Sequence, residues 1–195
     1  MKTLWEGLFK RNPVFVLLFG LVPAVAITTT AINGWFLGVI TSVIFLLTTA
    51  INYFVIPRLW ESLRPVVKIA IVILFTVVIY TIVLEINPQV VASLGIFLPL
   101  IAVNAMVLQD PDENKTFGLH LLEALGQSLG FILAMVVLGI IREFLGYGAV
   151  FGYQITNASL APLSLATSVP GGMIIVGLAL AIVNKVRDRG GELHD

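Results

Sequence analysis

Charge in this 195-residue chain falls in the gaps between six long apolar runs or near the ends of those runs, an arrangement that restricts it to threading back and forth through a membrane. The runs cover about 13–31, 35–56, 67–86, 93–109, 119–145 and 170–186. Each is long enough for a helix across a hydrocarbon core of about 30 Å. Lipid offers no partner to backbone N–H and C=O groups, so α-helices are the expected spanning element. Assigning the gaps alternately to two sides puts Lys2, Lys10, Arg11, Arg58, Arg64, Lys68, Lys115, Lys185, Arg187 and Arg189 together, with Arg142 alone opposite. Basic loops stay in the cytoplasm, so both termini are expected there. Removing one run scrambles the segregation, which supports six.

Composition agrees: 58% of residues are hydrophobic, 11% are charged and the mean hydropathy is +1.04, outside the range of soluble domains. No cleavable leader is expected, because Met1-Lys2 is followed by Trp5, Glu6, Lys10 and Arg11 and then by a long apolar run. The whole chain, 1–195, reads as one polytopic membrane domain. Asn33-Gly34 is expected to turn between the first two spans, and the acidic run from Asp110 to Lys115 is a solvated loop. The longest connection, about 146–169, is rich in glycine and polar residues, and its 160–163 stretch is expected to dip into the interface. With no cysteine, the chain by itself has no disulfide, thiolate metal site or thiol catalysis. Phosphate loops, zinc-ligand spacings, nucleophile elbows and nucleic-acid patches are absent from the sequence too.

The chain also repeats itself. Asn12-Pro13, six residues and Gly20 recur as Asn87-Pro88, six residues and Gly95. Each copy runs into an apolar segment interrupted by proline, Pro23 in the first and Pro99 in the second. Three spans separate the two starts, so the second half enters from the opposite side: two inverted three-helix repeats, about 12–86 and 87–189. A proline in a span removes a backbone hydrogen bond, and freed carbonyls are tolerated only where protein or water satisfies them. Broken helices one and four are therefore expected in the interior, facing each other, with breaks at Gly20, Pro23, Gly95 and Pro99. Thr28, Thr29, Thr30 and Asn104 lie near those breaks. Asn104 is expected to bond a carbonyl across the centre, or to be an ordinary packing asparagine. Asn52 is a similar case nearer the cytoplasmic end.

Three further features bear on function. Glu123, one turn into span five and on the same helix face as His120, reads either as a carboxylate favoured by the helix dipole or as an ion or proton access point. Arg142, the one outward basic residue, is expected to be held by a specific partner. The Gly126-x-x-x-Gly130 pair permits close helix approach. No charge is placed at the midplane, which argues against a chain that carries ions alone through a carboxylate site.

Three stretches resemble one family. Asn12-Pro13 through Gly20-Leu21-Val22-Pro23 to Ala26-Ile27-Thr28 is similar to the first span of the RnfE/NqrD family, membrane subunits of the Rnf and Na+-translocating NADH:quinone oxidoreductase complexes. Leu94-Gly95-Ile96-Phe97-Leu98-Pro99-Leu100-Ile101 followed by Asn104 is similar to its fourth span, and Leu138-Gly139-Ile140-Ile141-Arg142-Glu143-Phe144-Leu145-Gly146-Tyr147-Gly148 to the end of its fifth. The resemblance implies six helices as two inverted triplets, in a bacterial inner membrane, paired with an RnfA/NqrE-like sister subunit of opposite orientation. It also implies a shared [2Fe-2S] cluster held by cysteines of the broken helices, with flavins and iron–sulfur clusters in partner subunits.

At the two positions where the resemblance places this chain's cluster cysteines stand Val22 and Ala105. Neither side chain binds iron, and a partner's two thiols fall two short of the four a cluster needs. The charged stretch that follows the second cysteine is replaced by Gln109-Asp110-Pro111-Asp112-Glu113. The expectation is therefore a membrane subunit of an ion-translocating electron-transport complex that binds no cofactor alone and carries no catalytic residue of its own. Gly20, Pro23, Gly95, Pro99 and Asn104 are expected to serve it as helix breaks and packing points. The alternatives are a small inverted-repeat transporter or a non-redox scaffold subunit.

Overall fold

A computed structural model describes Val14 and residues 21–109, 115–155 and 163–189. Gly20 and the 160–162 part of the expected interfacial stretch lie outside these residues. The described chain is a helical bundle with elements α1 (Leu21–Ile27), α2 (Ala31–Val55), α3 (Arg64–Ile86), α4 (Pro88–Leu94), α5 (Phe117–Tyr147) and α6 (Val169–Arg189). Among the described residues, three helical segments are long and apolar enough to cross a membrane: Ala31–Arg58, Arg64–Ile86 and Phe117–Tyr147. Pro88–Phe97 and Val169–Lys185 are shorter apolar helices.

The centre of the bundle is the antiparallel pair α2 and α5. Glycine decides how closely they pack. A Cβ on Gly34 would stand 2.5 Å from the Met135 carbonyl oxygen, and one on Gly38 would stand 3.2 Å from Ile132 Cα. Without those side chains the two backbones meet, and the Ser42 hydroxyl donates to the Ser128 carbonyl at 3.2 Å. Ile44, Phe45, Phe131, Met135 and Leu138 are buried in the core around this contact. Gly126 and Gly130 are buried as well, and Gly139 makes a further close backbone approach, at Thr30 and Ala31.

This packing overturns one expectation. Asn33 and Gly34 lie inside α2, not in a turn. The chain reverses earlier, at Thr28–Thr30, where Thr30 adopts extended backbone and its hydroxyl oxygen accepts the Asn33 N–H at 3.2 Å. The local turn preference of Asn-Gly yields because Gly34 is needed against α5.

The Asn87-Pro88 boundary is where the sequence placed it. Asn87 caps α4 by accepting the Val90 N–H at 3.3 Å, and Pro88 opens the helix, where its missing N–H costs nothing. Beyond α4 the fourth apolar run is not one helix. It continues as two 3-10 turns, Gly95–Phe97 and Pro99–Val103. After α5, Gly148 in the left-handed conformation ends the helix, and a small hairpin pairs Ala149 with Gln154 and Val150 with Tyr153. α3 is largely exposed, burying only Lys68, Val72 and Thr76 fully, while Phe75, Ile79, Tyr80 and Val83 pack against the core.

Candidate functional site

The described part of the first apolar run and the fourth run line a common cavity. This cavity of about 270 Å3 is lined by Val22 and Pro23 from α1, Thr41 from α2 and Phe97, Asn104 and Ala105 from the fourth run. The two residues expected to replace cluster cysteines thus share one cavity, although 83 positions separate them in sequence. Val22 is 72% exposed, so this wall is open in the isolated chain. Gly95 and Pro99 line a neighbouring cavity of about 380 Å3 with Thr76 and Tyr80 of α3.

The lining of the first cavity is hydrocarbon relieved by one hydroxyl, on Thr41, and one carboxamide, on Asn104. It offers no thiol, imidazole or carboxylate. Among the described residues, no group of three or more His, Cys, Asp and Glu side chains comes together to hold a metal. An all-thiolate [2Fe-2S] cluster does not fit these residues.

Of the two readings of Asn104, the structure fits the locally satisfied one. Its side-chain oxygen accepts the Met106 N–H at 3.0 Å, capping a turn two residues on, and this local bond shapes the backbone that presents Ala105. Gly95 makes the break of the fourth run by conformation alone. It has φ +52 and ψ −131, and a Cβ there would meet nothing within 4 Å. We expect Gly95→Ala to cost about 1–3 kcal/mol from backbone strain, read as a fall in the thermal midpoint of the purified complex.

The junction between α1 and α2 is held by two consecutive residues of α5. Arg142 is fully buried, and its guanidinium donates to five oxygens. Nη1 reaches the Val25 carbonyl and, at 3.1 Å, the Thr28 hydroxyl. Nε donates to the Ala166 carbonyl at 3.0 Å. Nη2 donates to the carbonyls of Thr167 and Ser168 at 3.3 and 3.1 Å. The Thr28 hydroxyl in turn donates to the Ala24 carbonyl one turn back. Glu143 accepts the Ala31 N–H at 2.8 Å and the Gly152 N–H at 2.6 Å. The cation therefore sits at the carbonyl-rich end of α1 and the anion at the N–H-rich start of α2, each against the favourable end of a helix dipole.

Sequence reasoning foresaw a dedicated partner for Arg142 but not its nature. The partners are neutral oxygens contributed by two distant segments, and nothing in the local sequence marks a main-chain carbonyl as an acceptor. It also missed Glu143 as a capping group, although an acid next to a buried arginine at a span end was the available signal. Glu123 has a plainer role. It pairs with Lys115 at 2.7 Å near the start of α5, both side chains partly exposed. Glu123→Gln is expected to shift stability by less than about 1 kcal/mol, checked by thermal denaturation, because solvent screens such pairs.

Comparison with known proteins accounts for most of the chain. The family described as "Rnf-Nqr subunit, membrane protein" matches residues 1–180. The E component of the Na(+)-translocating ferredoxin:NAD(+) oxidoreductase complex of Acetobacterium woodii is 34% identical, over 94% of this chain and 95% of that protein. The E component of the proton-translocating ferredoxin:NAD(+) oxidoreductase complex of Clostridium ljungdahlii is 35% identical, over 94% and 89%. The E component of the ion-translocating oxidoreductase complex of Methanosarcina acetivorans is 32% identical, over 94% and 90%. By this coverage and identity, the chain belongs to the Rnf-Nqr family of membrane subunits.

Proposed function

We propose that the chain is the E-type membrane component of an ion-translocating electron-transport complex, crossing the membrane six times as two inverted triplets with both termini in the cytoplasm of a bacterial cell. The observation that carries this reading is the near full-length match to the E components of such complexes. The open cavity wall at Val22 and Ala105 supports a second membrane subunit, RnfA/NqrE-like, covering it.

In this reading the chain contributes structure and not redox chemistry. Electrons travel on flavins and iron–sulfur clusters held by partner subunits. The cavity between the first and fourth runs opens to one side or the other as those cofactors change charge, and ions follow. The expected break at Pro23 falls inside α1, so the short helix carrying Pro23 and the breaks at Gly95 and Pro99 give the cavity walls their shape.

The test is purification from native membranes through a C-terminal tag, with the companion chains identified by mass spectrometry and iron and flavin assayed. Recovery of a sister membrane subunit with flavin- and iron-bearing chains is the expected result. Recovery of the chain alone, or only with copies of itself, would move the assignment to a small transporter. A [2Fe-2S] signal from this chain and its sister alone would overturn the cluster-free reading of Val22 and Ala105.

A further inference from the structure

Four polar side chains in the middle of the bundle are almost wholly buried yet have a polar atom with no hydrogen-bond partner among the described residues. They are Thr41 and Thr48, through their hydroxyls, Asn52, through its amide oxygen, and Ser128, through its hydroxyl. Their exposures are 1%, 0%, 2% and 3%. A polar atom so placed is costly when dry and is ordinarily satisfied by internal water.

Their arrangement is a line. Thr41, Thr48 and Asn52 stand seven and then four residues apart on α2, which places them on one helix face at intervals of about 10 and 6 Å. Ser128 belongs to the facing helix at the level of Ser42, whose hydroxyl bonds its carbonyl at 3.2 Å. The upper end of the line is Thr41, in the wall of the cavity behind Val22 and Ala105. The lower end is Asn52, beside Tyr53, whose hydroxyl donates to the Lys115 carbonyl at 3.1 Å and whose ring packs on Phe117 and His120. There the Lys115–Glu123 pair reaches solvent.

We infer that this line is a file of internal water that connects the Lys115–Glu123 end of the bundle to the cavity and admits a small monovalent cation. Gaps of about 6–10 Å are spanned by one to three waters at hydrogen-bond steps of about 2.8 Å. The oxygens along the file are neutral and spaced apart. They replace part of the hydration shell of a singly charged ion without trapping it, whereas a divalent ion would need carboxylates close by. The inference rests on the membrane-spanning reading above and adds the route by which one side reaches the cavity.

The absence of native cysteine makes the test clean. Thr41→Cys, Thr48→Cys, Asn52→Cys and Ser128→Cys are made singly in the native complex, in sealed membrane vesicles. Silver ion is added at the face carrying Lys115. The vesicles are then denatured, and unreacted thiol on this chain is counted by the gel shift from a polymer-tagged maleimide. Ile44→Cys, buried in apolar core on the same helix, and Leu47→Cys, exposed on its outer face, are the controls.

Block of Thr41→Cys, Thr48→Cys and Ser128→Cys at least about tenfold faster than Ile44→Cys is the expected result, since thiol reactivity follows water access. Adding Thr48→Val to Thr41→Cys should slow its block by about tenfold, because the methyl removes one step of the file. Rates equal to that of Ile44→Cys overturn the proposal, and so does a file that passes protons but leaves the thiols untouched by silver. The near-isosteric Thr→Cys changes keep the test alive if Asn52→Cys fails to insert. The companion chains identified by mass spectrometry report on the complex independently, so failure of the file and failure of the assignment are distinguishable.

Discussion

Arg142→Ala is expected to abolish the folded chain. The guanidinium is fully buried and is the shared donor for oxygens on Val25, Thr28, Ala166, Thr167 and Ser168. Removing it strands those acceptors away from water, at about 1–3 kcal/mol for each that stays unpaired. It also frees the end of α1 from α5, and the cavity wall at Val22 and Pro23 with it. Relaxation recovers part of this, so a net loss of about 3–5 kcal/mol is the working figure, comparable to the whole stability of many domains. Arg142→Lys should fall between, because an ammonium has three donors against five and no planar fork. The measurement is the monodisperse fraction of each tagged variant after mild solubilisation, followed by its thermal midpoint. An alanine variant as abundant and stable as the parent would show that the five bonds do not hold the junction.

The second large effect is expected at Gly139. A Cβ there would stand 2.8 Å from both Ala31 Cα and the Thr30 carbonyl oxygen, so the clash is with backbone and no side-chain rotation relieves it. α2 and α5 must separate at the point where Glu143 reaches the Ala31 N–H at 2.8 Å. Gly139→Ala should therefore cost about 3 kcal/mol, and Gly139→Val should prevent assembly. Gly118→Ala is the matched control, because a Cβ there meets nothing within 4 Å. Equal midpoints for the Gly139 and Gly118 variants would mean that the helices slide apart at no cost.

These two positions show how far the sequence can be read. Hydropathy found α3, α5 and α6 to within three residues, because a span must be long and apolar whatever it packs against. Pro99 and Gly95 announced the broken fourth run, since proline and a positive-φ glycine act through local backbone. The cavity was legible only as an expectation that two breaks meet. That meeting depends on α2 and α5, and their glycine contacts join residues about a hundred positions apart. Asn33-Gly34 misled for the same reason: its local preference is a turn, and its tertiary duty is to stand against Met135. Gly38 completes a Gly-x-x-x-Gly pair that was visible in the sequence and hidden by the turn reading. The four main-chain acceptors of Arg142 could not be read at all, because every residue has a carbonyl.

Arg142 and Glu143 are neighbours in one helix, about 1.5 Å apart along its axis. A voltage across the bilayer exerts force in proportion to net charge and to the depth through which it moves. The pair carries one positive and one negative charge at nearly the same depth, so moving it as a unit transfers no charge through the field. Energising the membrane therefore does no electrical work on the clamp between α1 and α2, however steep the gradient the surrounding complex builds.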